Sequence, residues 1–361
     1  MFRNPGLPAL ALAGMLAASF GSASARDLTI VSWGGAYQDA QRTIYFEPFV
    51  KATGIKLVEN SWNGGIGTLR AKVEGGNADW DVVQVEAEEL QIGCDEGLFE
   101  TMDYNAIGGK DAFIPAAVNK CGVGAIVWSM ALSYDADKLG ANPPKSWADF
   151  FDTQGFPGKR GLRKGPKYAL EFALMGDGVA PADVYKVLKT PDGVDRAFKK
   201  LGTIKNDIVW WETRAQPSQL LASGEVAMTS AFMLHPCRPG AVKCWARFLT
   251  IPARDKLRFK VLWPGNIYAV DSWVILKGSP NAANGLKFIA FASDPKRQAQ
   301  LPELVTYGVT NKAATPLIDP EVSKELPTAP ENLAAGVPRD AEFWVANIER
   351  LTQRFNTWVA Q

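Results

Sequence analysis

Hydrophobic and polar positions follow two periods along this chain, and the switches between them predict a repeating order of elements. Residues 27–32 (DLTIVS) keep the two-residue period of a strand and are rich in Ile and Val. Trp33-Gly34-Gly35 marks a turn. After it, Ala40, Ile44 and Phe49 share one face of a helix that Gly54 ends and Pro48 should kink. A second strand is expected at 55–59, a short helix at 68–74 closed by Gly75-Gly76, and a third strand at 81–85 (DVVQV). Glu86 then opens a helix towards residue 96. Strand and helix in quick succession predict an α/β domain with a largely parallel sheet.

The pattern changes at residues 123–133 (VGAIVWSMALS), a long apolar strand read as the passage into a second lobe. Ser146 is a helix N-cap ahead of Trp147-Ala148-Asp149. Helices are expected around 168–175, 181–188 and 193–205, strands at 208–211 and 226–232, and a strand at 272–276 back in the first lobe. Helices at 281–292 and 295–304 follow, the second with Asp294 as cap and Pro295 in its first turn. A long helix from Asp340 ends the chain, and its stripe of Trp344, Ile348, Leu351, Phe355 and Trp358 is core.

Length and charge bound the function. The 361 residues suit two lobes. Residues 1–25 hold one charge, Arg3, an apolar run over 7–20 and the sequence Ala23-Ser24-Ala25, which together read as a secretory signal peptide cut before Arg26. Without it 38 basic and 38 acidic residues remain, a balance that speaks against a nucleic-acid partner. Export places the four cysteines in a disulfide-permissive compartment. Three pairings are possible, and the most local joins Cys94 to Cys121 and Cys237 to Cys244. The single histidine, His235, leaves no His-rich zinc site and only one residue on which a catalytic triad could depend. Neither G-x-S-x-G nor H-E-x-x-H occurs, so a secreted hydrolase ranks low, and no enzyme, cofactor or metal is expected.

Several short motifs stand in a telling order. SWGGAYQDAQ occupies 32–41, ATGIK 52–56, DVVQVEAEEL 81–90, KGSPN 277–281, KFIAFASDP 287–295, TYGVTN 306–311 and DPEV 319–322. Together they resemble the extracellular solute-binding proteins of bacterial ABC importers, in the spermidine/putrescine-binding branch. The resemblance covers about 27–232 and 259–361. It implies a two-lobed periplasmic-binding-protein fold of type II, with two crossover strands and a ligand cleft between the lobes. Crossings near residues 133–135 and 270–271 would assign 26–133 plus 272–320 to lobe one and 134–271 plus 321–361 to lobe two. It further implies a periplasmic monomer that delivers a polyamine-like organic cation to an inner-membrane permease. An anionic or zwitterionic solute, or iron, on the same fold is the alternative; no adjacent Tyr-Tyr pair favours iron.

The resemblance also implies site residues. Trp33 and Tyr37 would stack on the ligand's methylene chain and face its ammonium groups. Asp271 matches the acid that holds an amine, and Glu86 follows the third strand where a carboxylate would point into the cleft. Tyr307 matches a cleft tyrosine and Trp344 a ligand-proximal position. Glu171 and Trp211 are rim candidates on lobe two. Phe232 takes the place of a family tyrosine. The basic run KRGLRKGPK, with Lys159, Arg160, Arg163, Lys164 and Lys167, is a carboxylate or phosphate clamp, a surface met by the permease, or a solvated loop and strand. Residues 233–258 depart from the family, with six basic residues against Asp255, and read as an inserted loop or an alternative-frame segment.

Overall fold

The computed structural model describes residues 1, 26–75, 79–139, 142–213, 216–232 and 259–361. The expected leader ahead of Arg26 and the segment 233–258, with His235, Cys237 and Cys244, lie outside the described residues.

The first half alternates as its periodicity requires. β1 (Leu28–Ser32) leads to α1 (Gly35–Gln41) and α2 (Glu47–Thr53), then β2 (Leu57–Ser61), α3 (Ile66–Glu74), β3 (Val82–Val85) and α4 (Ala87–Asp95). Pro48 does not kink the helix from within. It falls in the first turn of α2, where its missing N–H is not needed, and a π-helical segment at Arg42–Phe46 joins α1 to α2. Gly54 closes α2 with a left-handed φ of 71°.

β4 (Gly122–Asp135) is buried at every position, as its unbroken apolar run demands. Beyond it come α5 (Ala136–Leu139), α6 (Trp147–Phe151), β5 (Lys159–Arg163), α7 (Ala169–Gly176), α8 (Val184–Leu188), α9 (Pro191–Gly202), β6 (Ile208–Trp211), α10 (Gln216–Ser223) and β7 (Val226–Phe232). Ser146 caps α6 in a reciprocal box with Asp149. The strand expected at 272–276 is the end of a far longer one, β8 (Phe259–Ile275). α11 (Ala282–Ala292) forms as expected, but the helix expected at 295–304 breaks after α12 (Pro295–Gln298) into a 3-10 turn at Leu301–Glu303 that holds Pro302. Two short helices, α13 (Pro320–Ser323) and α14 (Pro330–Ala334), precede β9 (Val337–Pro338) and the long α15 (Ala341–Ala360). No helix among the described residues is long and apolar enough to cross a membrane.

The sheet order is β2-β1-β3-β8-β4-β7-β5-β6, with β9 added to β8. β1, β2 and β3 run parallel, as do β5, β6 and β7. The antiparallel pair β4–β8 joins these two groups into an α/β fold of two lobes. Residues 272–275 of β8 pair with β3, while residues 130–134 of β4 pair with β7, so each long strand serves both lobes. A disulfide joins Cys94 in α4 to Cys121 at the foot of β4, with 5.6 Å between Cα atoms, which is the most local pairing.

Candidate functional site

Both groups of parallel strands end at the same place. β1, β2 and β3 deliver Trp33, Trp62 and Glu86 just past their carboxyl ends, and β5, β6 and β7 end on Arg163, Trp211 and Phe232. Side chains in these positions are the ones an open α/β sheet offers to a ligand. Between the groups, the crossover strands supply Trp128 and Asp271 from mid-strand. The Trp128 indole N–H donates to Asp271 Oδ1 over 2.6 Å, and both residues are buried.

On the first lobe, Trp33 stacks on Trp62 with ring centroids 5.4 Å apart and planes 14° from parallel. Gly64, at φ +85°, lets the chain pass against them: a Cβ there would lie 3.2 Å from Glu89 Oε1 and 3.7 Å from the Trp33 ring. Tyr37 meets Tyr307 edge-on at 5.1 Å. The Tyr37 hydroxyl donates to Gln84 Oε1, which also accepts from Gln41 and Ser32. Burial, aided by Tyr45, pushes the Tyr37 hydroxyl well above its ordinary pKa, so it stays a donor.

The second lobe answers with an aromatic wall. Trp128 packs edge-on against Phe232 at 5.4 Å and Tyr168 at 6.1 Å, and Trp211 packs on Phe232 at 6.0 Å. The Arg163 guanidinium carbon lies 5.6 Å from both the Tyr168 and the Phe232 ring. Tyr168 has φ 71°, the sole positive value at a non-glycine among the described residues. Strain of this kind costs about 1–3 kcal/mol and collects at functional sites.

Charge of both signs fills the space between. The carboxylates of Glu86, Glu88 and Glu89 lie within 4.8 Å of one another. They do not stand alone. Arg339, fully buried, donates to Glu88 Oε2 at 2.6 Å, to Glu86 Oε2 at 3.2 Å and to the Tyr168 hydroxyl at 2.8 Å. Lys167 reaches Glu88 Oε1 at 3.2 Å. Burial works against the Lys167 ammonium, but Glu88 and Glu86 outweigh it and its pKa rises. Glu89 accepts from the Gly65 N–H at 3.1 Å, and burial, then Glu86, push its pKa up. Two cations already face this carboxylate group, so its donor set is that of an ion-pair network and not of an open iron site.

Of the residues singled out in the sequence, Trp33, Glu86, Trp211 and Phe232 lie at these strand ends and Asp271 on a crossover strand, while Tyr37 in α1 and Tyr307 beside β4 meet each other. Glu171 and Trp344 do not join them. Glu171 is no rim residue: it is fully buried, and its Oε1 accepts from the Tyr185 hydroxyl and the Trp344 indole N–H, each at 2.9 Å. That contact set belongs to α7, α8 and α15, because the apolar stripe of α15 turns Trp344 inward. The residues of the basic run have separate surroundings. Arg160 is buried and donates to the carbonyls of Phe150, Asp152, Phe156 and Gly158; Lys164 pairs with exposed Glu212; Lys167 reaches Glu88, and Arg163 lies against the Tyr168 and Phe232 rings. The sequence reading missed Trp62, Trp128, Tyr168 and Arg339. Trp62 carries a usable signal, one residue past a strand end, as Trp33 does. Arg339 carries none, since only the pairing of β9 with β8 brings it in.

Comparison with known proteins places these observations in context. The family described as bacterial extracellular solute-binding protein matches residues 45–332. A gamma-aminobutyric acid-binding protein of Pseudomonas aeruginosa is 44% identical over 352 residues, covering 98% of this chain and 96% of its own. The solved structure of the Atu4243-GABA receptor is 34% identical with a TM-score of 0.78, covering 93% of this chain and 98% of that one. The spermidine/putrescine-binding periplasmic protein of Escherichia coli is 23% identical over 323 residues, covering 82% of this chain and 85% of its own.

Proposed function

The chain belongs to the bacterial extracellular solute-binding proteins, and from that premise we propose that it carries a small ω-amino acid zwitterion of the γ-aminobutyrate type, held between its lobes, to an ABC importer. The chemistry is binding and release; no bond of the solute is made or broken. The polyamine expectation gives way to its zwitterion alternative for a physical reason. A polyamine needs acids and aromatic faces without cations nearby, and Arg163, Lys167 and Arg339 would each repel it. The acids that suggested a polyamine are largely offset, since Glu86 and Glu88 already face Arg339 and Lys167.

Arg163 carries the reading. It is partly buried at the end of β5, lies against two aromatic rings, and meets no carboxylate within ion-pair distance among the described residues. Its planar fork suits a ligand carboxylate. Across the aromatic wall, Asp271 takes the ammonium, with Trp33, Tyr37 and Tyr307 around the methylene chain. The relatives named for γ-aminobutyrate, at 44% and 34% identity, support the same solute class, whereas the polyamine relative is far more distant. Export to the periplasm after cleavage before Arg26 completes the reading.

Calorimetric titration with γ-aminobutyrate, putrescine and succinate tests it. γ-Aminobutyrate should bind and the other two should give no heat. Arg163→Gln and Asp271→Asn should each weaken binding at least tenfold, because a charged hydrogen bond is worth about 1.5–3 kcal/mol and 1.4 kcal/mol is tenfold. Tighter binding of putrescine, or an Arg163→Gln protein with undiminished affinity for γ-aminobutyrate, overturns the proposal.

A further inference from the structure

The ion pairs around Arg339 join parts of the chain that a hinge motion would separate. Arg339 follows β9, which pairs with residues 267–268 of β8, and precedes Asp340. Asp340 caps α15 through the Phe343 N–H and pairs with Lys189 at 2.8 Å. The backbone of Arg339 is thereby fixed on the side of the second lobe, where its guanidinium also holds the Tyr168 hydroxyl. From there it reaches Glu86 and Glu88 at the start of α4, on the first lobe. Lys167, one residue before Tyr168, grips the other oxygen of Glu88. Glu88 is thus bridged by two cations from across the cleft. Side-chain exposure is 0% for Arg339, 11% for Glu88, 15% for Glu86 and 25% for Lys167, so water and salt screen these pairs little.

We propose that Arg339 and Lys167, closing on Glu86 and Glu88, form a latch that holds the two lobes shut over the solute. They are positioning residues: the latch sets how long the solute stays, while Arg163 and Asp271 set what it is. Opening must break three ion pairs and rehydrate each ion before the solute can leave, and closing re-forms them only after the solute has entered. The Arg339 guanidinium also lies 5.0 Å over the Trp128 ring, whose N–H fixes Asp271, so latch and site floor share one side chain. The acids at the start of α4 therefore serve closure, which explains why a site for a neutral solute carries so many carboxylates. This inference rests on the two-lobed binding role proposed above, but not on the identity of the solute.

The test compares wild type with Glu88→Gln and Lys167→Gln. Stopped-flow fluorescence with γ-aminobutyrate reads the rates, and electron–electron distance measurement between spin labels at exposed Val58 and Lys186 reads the lobe separation. Glu88→Gln should release the solute at least tenfold faster with an association rate within twofold of wild type, and should keep a second, longer label distance at saturation. Lys167→Gln should shift both readings in the same direction by less. A lost packing role would instead slow association or reduce the bound fraction. If γ-aminobutyrate does not close the wild type, putrescine is the probe, so a wrong solute and a wrong latch give different results. Release rates and label distances unchanged in both variants overturn the latch, and so does a wild type that closes on neither probe.

Discussion

Glu171 gives the sharpest test of the electrostatics inside the second lobe. It is fully buried in α7, and its Oε1 accepts from Tyr185 and Trp344, while Oε2 has no hydrogen-bond partner among the described residues. Burial raises its pKa from the ordinary 4.5 to about 7, against the downward pull of its hydrogen bonds. The folded protein therefore holds a proton that the unfolded chain releases. Stability is highest below the unfolded pKa, falls as pH rises from about 4.5 to about 7, and is level above that. Two to three units at about 1.36 kcal/mol each put the loss at about 3 kcal/mol. Glu171→Gln keeps an acceptor for both donors and removes the titration. It should match wild type near pH 4.5 and exceed it by about 3 kcal/mol at pH 8, or roughly 4 °C in melting temperature for a chain of this size. Calorimetric melting of both proteins from pH 4.5 to 8.5 measures this. Parallel pH profiles, or a glutamine variant that melts below wild type at pH 8, would refute the reasoning.

The Cys94–Cys121 disulfide closes a loop with a sequence separation of 27, worth roughly 3–4 kcal/mol in the chain-entropy model, so reduction should lower the melting temperature by several degrees; an unchanged melt argues against any such contribution. Protein recovered from the periplasm should begin at Arg26, whose guanidinium binds buried Asp81 at 2.7 Å, and a mass that retains Met1 would reject the leader.

The strands and helices that position the two lobes were legible because each pairs a local period with a local stop: alternation in DLTIVS and Gly54 after α2 in the first, the Ser146–Asp149 box before α6 in the second. Trp33 and Glu86 stand just past the carboxyl ends of β1 and β3, positions that the local pattern of those strands marks in the sequence, whereas Phe232 and Trp211 are singled out through the family resemblance. Local reading failed where a feature is long or depends on distant partners. The 17-residue β8 looks like a short strand at its apolar end alone, because residues 259–262 are ordered by pairing with β4 and not by their own pattern. In the basic run, β5 sends Arg160 to backbone carbonyls inside the lobe and Arg163 to the Tyr168 and Phe232 rings, a split that strand register sets and charge counting does not reveal.

The balance of charge around Glu86 and Glu88 is where local reading falls furthest short. Glu86, Glu88 and Glu89 sit together in the sequence, so their charge is visible at once and points to a cation. Arg339 lies some 250 residues later and reaches them only because β9 joins the crossover strand and the loop turns back ahead of α15. Acids cluster locally, through one helix start; the cations that offset them come from two separate segments of the opposite lobe. A count of acids near one strand end therefore overstates the negative charge a solute would meet. Arg339 and Lys167 offset these acids without belonging to any of the motifs by which the fold is recognised, so the charge around Glu86 and Glu88 is set by tertiary contacts and not by the local sequence.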